Sequence, residues 1–233
     1  MANSPDGGPG PRADVDSLLQ RMRDERGYAL SYHEILARTD PRLLEAYQVL
    51  YARFTLDGRH LDARRRELVW TALLTVSNEH VGSLHLERAV AAGATADELR
   101  AAIALAGVTA AWDQMAFAHQ HWSALLGGSD FSSEYRRLVD AAAAELEQSE
   151  TELILLVCAA ARRSEGQYLD QLARCYAAQL PEEEMAEAVS YLLLPNGANA
   201  LLWATDLWLD ALASGAVAAG EALAGVSFDV RRA

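Results

Sequence analysis

The feature that most limits the fold is an internal repeat. Residues 66–76 align with 151–161 at a shift of 85, pairing Glu67-Leu68-Val69 with Glu152-Leu153-Ile154. From Asn78 onward the shift becomes 86, which implies one extra residue in the second turn. Glu79 then pairs with Glu165, Arg88 with Arg174, Glu98 with Glu184 and Trp122 with Trp208. A chain that repeats itself at this length is expected to build one supersecondary unit twice and to bury the two copies against each other.

Each copy reads as helical. Asp40-Pro41 opens a segment with Leu43, Leu44, Tyr47, Leu50 and Tyr51 on one stripe, and Leu68, Val69, Ala72, Leu73 and Val76 repeat that spacing. Ser77-Asn78-Glu79 resembles the start of the next helix, Gly93 its end, and Thr95 with Asp97 and Glu98 the cap of another. Gly107 marks a bend before a last helix through Trp122. The expected architecture is all-α. It comprises a disordered start over residues 1–12, a first helical unit over 13–127, a second unit over 128–214 and a tail over 215–233. The boundary between the units falls in the loop from Gly127 to Ser133.

The formal net charge of −13 speaks against a nucleic-acid partner. The longest apolar run, Ala101 to Trp112, is too short for a bilayer, and Met1 to Asp14 lacks the basic and apolar regions of an export signal. The two cysteines, Cys158 and Cys175, form no Cys-x-x-Cys motif and read as small buried hydrophobes in a reducing compartment. The expectation is a cytoplasmic protein with no membrane association.

Arg66-Glu67-Leu68-Val69, Ser77-Asn78-Glu79-His80, His85, Ala89, Ala92-Gly93-Ala94-Thr95 and Glu98-Leu99 together resemble the carboxymuconolactone decarboxylase and alkylhydroperoxidase D-like family. Arg26-Gly27-Tyr28, Tyr32-His33 and Asp40-Pro41 look like its larger members. The resemblance is good over about 26–125 and degraded over 133–212. It implies an all-helical fold of two fused alkylhydroperoxidase D-like units, and a homo-oligomer, trimer or dimer. The peroxidase branch carries a Cys-x-x-Cys pair ahead of the histidine. Here those positions hold Asn78 and Val81, which cannot form a thiolate or a disulfide. Thiol redox activity is therefore not expected, whereas the proton-carrying residues remain.

His85 lies on the apolar face set by Val81 and Ala89, where an imidazole can serve proton transfer or simply pack as a satisfied core residue. Glu67 can orient His85 or act as base, or it can be a charge in the first turn of its helix. Glu79 and His80 fall in the first turn of the helix carrying His85, where backbone N–H groups can hold a carboxylate or an enolate. Glu79 equally suits a cap. His119 is the second choice of imidazole facing the site, and Tyr32 and Trp112 are candidate apolar walls or core. Arg66 and Arg88 could anchor a substrate carboxylate but suit solvent better.

At the 86-residue shift His80, His85, His119 and His121 align with Gly166, Gln171, Thr205 and Leu207. One surviving site per chain, within residues 60–125, is the consequence drawn. The expected activity is cofactor-independent acid–base chemistry on a small carboxylated cyclic or β-keto substrate, a decarboxylation or a related isomerisation or ring opening. His85, Glu67 and His80 would be catalytic, and Glu79, Tyr32, Trp112 and His119 would bind substrate. Alternatives are an inactive oligomeric scaffold of the same fold, or a metal-dependent variant using His80, His85 and His119. No i, i+4 ligand pair supports the metal reading, so neither metal nor cofactor is expected.

Overall fold

The computed structural model describes residues 12–128 and 130–226. The disordered start expected over residues 1–12 concerns 1–11, which lie outside the described residues; Arg12 already opens a helix. Among the described residues all regular structure is helical. The chain divides into two compact units, residues 1–57 and 58–233.

The N-terminal unit holds α1 (Arg12–Arg26), α2 (Ser31–Thr39) and α3 (Pro41–Thr55). Leu18, Leu19, Met22, Ala37 and Leu44 form its buried cluster. As the sequence suggests, α3 starts on Asp40, whose carboxylate accepts from the Leu43 N–H at 3.0 Å, with Pro41 in the first turn. Tyr32 belongs to this unit and donates its hydroxyl to Tyr47 at 2.8 Å.

The larger unit begins with α4 (Ala63–Val76), followed by α5 (Ser83–Ala91), α6 (Ala96–Thr109) and α7 (Ala111–Trp122). Then come α8 (Phe131–Ala142), α9 (Gln148–Arg162), α10 (Glu165–Ala177), α11 (Glu182–Ser190) and α12 (Ala198–Ala213). Helices α4, α6 and α9 pack on one another at its centre. Their interior positions are consequently buried on every side: Arg66 to Leu74 in α4 and Glu150 to Ala160 in α9. Because α4 packs on α9, residues 58–127 and 128–214 share one core. Helix α5 lies against α4, and α10 against α9.

Charge fixes the starts of these helices. Arg64 of α4 donates to Glu150 of α9 at 2.6 Å and also to Glu98 of α6. Glu98 closes the expected capping box with Thr95. The Arg64 guanidinium and the Thr95 N–H hold the Glu98 carboxyl below its usual range.

Three expectations change. Helix α4 begins at Ala63, so Glu67 sits in its second turn and is fully buried rather than being an exposed first-turn charge. The second helix start lies later than Ser77-Asn78-Glu79: Asn78 adopts a left-handed φ of 56°, which ends α4. A 3₁₀ turn over His80–Gly82 follows, and α5 starts only at Ser83. Finally, Ala96–Trp122, spanning α6 and α7, is by length and mean hydropathy, 1.3, long and apolar enough to cross a membrane. The run read from sequence is shorter because it stops at the charged Arg100 and Asp113, which the longer helical stretch takes in. Leu99, Ala102, Leu105 and Ala106 of that stretch are buried, and α6 packs on α4, α8 and α9, as a core helix does.

Candidate active site

Helices α4 and α5 bring together the two residues that sequence singled out first. Glu67 and His85, 18 positions apart, meet with Oε2 and Nδ1 at 2.7 Å. Both are buried; Glu67 is fully enclosed and His85 keeps 7% of its surface. The close approach of the helices depends on Gly82, where a Cβ would stand 3.2 Å from Leu74.

Glu67 has a second donor. Arg66 Nε reaches its Oε1 at 3.1 Å, and Arg66 is buried rather than solvated as sequence suggested. A guanidinium can only donate and an ionised carboxylate can only accept. With both carboxylate oxygens taken in this way, the His85 proton sits on Nδ1 and Nε2 is left for other work. Among the described residues Nε2 has no hydrogen-bond partner.

The imidazole is also held by its face. Trp70, one turn after Glu67, stacks on His85 with centroids 4.8 Å apart and planes at 29°. Trp70 stacks in turn on Tyr191, 4.6 Å away at 24°. Tyr191 donates to Glu187 Oε1 at 2.5 Å, and Glu187 Oε2 accepts the N–H groups of His60 and Leu61 at 2.5 and 3.0 Å. Burial first, then the Glu187 carboxylate, push the Tyr191 hydroxyl above the ordinary phenol range. Sequence reasoning missed Trp70 and Tyr191, and it placed Arg66 in solvent. Trp70 could have been found from its i+3 spacing to Glu67 on α4; Tyr191, from the other half of the chain, could not.

The other candidates stand elsewhere. His80 projects into solvent, its side chain 94% exposed, with Nδ1 3.7 Å from Glu79 Oε1. Glu79 caps the 3₁₀ turn by accepting from the Val81 N–H at 3.2 Å. Neither lies in the first turn of α5, contrary to expectation, because the left-handed turn at Asn78 displaces the helix start. Trp112 is buried edge-on against Phe131 and Tyr135 in the α7–α8 contact, which fits core packing. His119 is exposed, its ring 6.0 Å from that of Phe131. No hydrogen bond or ring contact among the described residues joins His80, Glu79, Trp112 or His119 to the Glu67–His85 pair. Nor is there, among those residues, a group of three or more His, Cys, Asp or Glu side chains placed to hold a metal ion.

The second half carries a parallel arrangement without an imidazole. Gln171 of α10 donates to the Glu152 carboxylate of α9, in the register where His85 meets Glu67. Arg136 of α8 donates to both Glu152 oxygens, at 3.2 and 3.0 Å. Cys158 and Cys175 are sealed in the same half. Burial pushes the Cys158 thiol up to about 12 and Cys175 higher still.

Residues 41–121 match the Carboxymuconolactone decarboxylase family. That family includes decarboxylases and peroxidase-like members. No curated protein and no solved structure matches the chain.

Proposed function

From the carboxymuconolactone decarboxylase family segment at residues 41–121, with a buried imidazole–carboxylate pair inside it, we propose that the chain is a cofactor-independent acid–base enzyme. Its substrate is a small carboxylated cyclic or β-keto compound, and its reaction a decarboxylation or a related isomerisation or ring opening. The observation that carries this reading is the Glu67–His85 hydrogen bond, which leaves Nε2 without a partner among the described residues.

In the decarboxylation, the bond from carbon to the departing carboxylate breaks and its electron pair moves onto the conjugated carbonyl oxygen. Carbon dioxide leaves, and the resulting enolate takes a proton at carbon from protonated Nε2 of His85. Solvent then reprotonates His85. Glu67 offsets the imidazolium charge and fixes the ring, Arg66 fixes Glu67, and Trp70 limits ring rotation; these three are positioning residues. Exclusion of water favours the step, since the carboxylate loses hydration that the enolate needs less. Asn78 and Val81 offer no sulfur, so a thiol peroxidase reaction at this site has no nucleophile.

His80 and His119 enter this reading only through substrate-induced movement or through a second copy of the chain. A homo-oligomer, trimer or dimer, is part of the proposal, supported by the exposed Phe117, Trp122, Leu125 and Leu126 at and after the end of α7. A cytoplasmic location agrees with two free, buried cysteines. An inactive scaffold of the same fold is the second reading. It draws on the slight exposure of His85, packed against Trp70.

A panel of carboxylated γ-lactones and β-keto acids, followed by proton NMR in D2O and by carbon dioxide release, tests the two. The enzyme reading expects one member to be consumed, with deuterium entering at the carbon that loses the carboxylate. It expects His85→Gln to abolish turnover while the helical circular dichroism is kept. Equal turnover in that variant, or no consumption across the panel by any oligomeric form, favours the scaffold.

A further inference from the structure

The second half of the chain has a cavity of its own, and its chemistry differs from that of the first. A pocket of about 550 Å³ opens where α8, the 143–147 turn, the start of α9 and α10 meet. That is a volume suited to a small organic molecule. Val139, Ala143 and Leu146 give it apolar walls, and Arg136 and Arg174 give it two cations.

Both guanidiniums line the partly open pocket and keep donors beyond those used in their ion pairs. Arg136 meets Glu152 through Nη2 alone, and Arg174 meets Asp170 through Nε at 2.8 Å. Among the described residues no other carboxylate takes their remaining N–H groups. The side chains keep 17% and 34% of their surfaces, so those donors are reachable. Glu152 does not repel an incoming anion strongly, because Arg136 covers both its oxygens and Gln171 one of them. Asp140, exposed on the pocket wall, is the remaining negative group. It opposes a ligand bearing two negative charges more than a ligand bearing one.

We propose that this pocket is a binding site for a small organic monocarboxylate, distinct from the Glu67–His85 site. The carboxylate lies between the free edges of Arg136 and Arg174, where charge-assisted and bidentate hydrogen bonds are strongest. The hydrocarbon part lies on Val139, Ala143 and Leu146. The acidic chain does not prevent this, since the field at a pocket is set by charges within a Debye length of about 8–10 Å.

Benzoate is the probe, with benzamide as its uncharged isostere and inorganic phosphate as an anion without a hydrocarbon part. Isothermal titration calorimetry on the full chain at low salt is expected to show saturable benzoate binding near 1 mM or tighter. Benzamide and phosphate should each be at least about tenfold weaker. Arg174→Gln should weaken benzoate by about tenfold. Ala144→Phe, at an exposed turn position lining the pocket, should remove binding by filling it. His85→Gln should bind benzoate as the unaltered chain does. Absence of saturable benzoate binding overturns the proposal. So does benzamide or phosphate binding as tightly as benzoate, or unchanged affinity in both Arg174→Gln and Ala144→Phe. Loss of binding in His85→Gln overturns it as well, by moving the probe to the first site. Should Arg174→Gln fail to fold, the Ala144→Phe result decides. Because His85→Gln separates the two sites, loss of the catalytic reading leaves this one standing, and the converse.

Discussion

Trp70 and His85 stack at 4.8 Å with their planes 29° apart, although they belong to different helices. A flip of the imidazole about its Cβ–Cγ bond would break its contact with Glu67 and turn the ring against the indole. The indole face and the 2.7 Å bond to Glu67 both oppose that motion. The ring thus presents one defined nitrogen, Nε2, to whatever approaches.

Replacement of His85 by Gln should cost little stability. Gln171 reaches the buried Glu152 carboxylate across the α9–α10 contact, so an amide can donate to a carboxylate enclosed between two paired helices, as the amide of His85→Gln would to Glu67. Chemical denaturation is expected to show a loss below about 1 kcal/mol, while Glu67→Leu, which removes the carboxylate that both Arg66 and His85 reach, should cost about 3 kcal/mol or more. A large loss in His85→Gln with a small one in Glu67→Leu would refute this ordering.

The cysteines should be inert in the folded chain. Cys158 and Cys175 are fully buried, and their thiols are held protonated well above neutral pH. A thiol-reactive chromophore should label neither at pH 8 and both after denaturation. Double Cys→Ala or Cys→Ser substitution should leave any turnover unchanged. Rapid labelling of the native chain would contradict the burial.

Gly82 is expected to resist enlargement. An alanine there gains backbone entropy of about 0.4–1 kcal/mol, but its Cβ would press on Leu74 at 3.2 Å. Leu74 is packed in α4 and yields poorly, so a net loss of about 1 kcal/mol is expected. Gly58→Ala is the control, having nothing within 4 Å of the added Cβ, and should stay within about 0.5 kcal/mol. Equal melting temperatures for the two variants would show that α5 can move aside.

Glu98 makes stability depend on acid. Its carboxyl is depressed by Arg64 foremost and by the Thr95 N–H. Its contribution is therefore complete above the unfolded value near 4.5, and it disappears as pH falls through the lower folded value. Glu98→Gln should be less stable than the unaltered chain at pH 7, with the gap closing below pH 4. A gap independent of pH would mean that the Arg64 contact contributes nothing.

Local signals were legible because they act over three or four residues. Thr95 with Glu98, Asp40 with Pro41, and the left-handed Gly93 all do in the structure what their chemistry suggests. The Glu67–His85 pairing was legible for a different reason, through the family pattern that fixes their spacing. The start of α5 was not legible. Asn78 and Glu79 satisfy the rules for a helix cap, yet Asn78 takes the left-handed conformation and Glu79 caps a 3₁₀ turn. Arg66 was misjudged because a run of three arginines, 64 to 66, reads as solvated. Helix α4, buried from Arg66 to Leu74, instead sends the three to four carboxylates: Arg64 to Glu98 and Glu150, Arg65 to Glu184, and Arg66 to Glu67.

The enclosure of α9 bears on how such a chain can evolve. With no flank of that helix exposed between Glu150 and Ala160, the half lacking the imidazole is the interior wall of the half that has it. Deletion of the half would leave α4 open to water along a full side. Residues 128–214 therefore cannot be shed without unpacking the helix that carries Glu67.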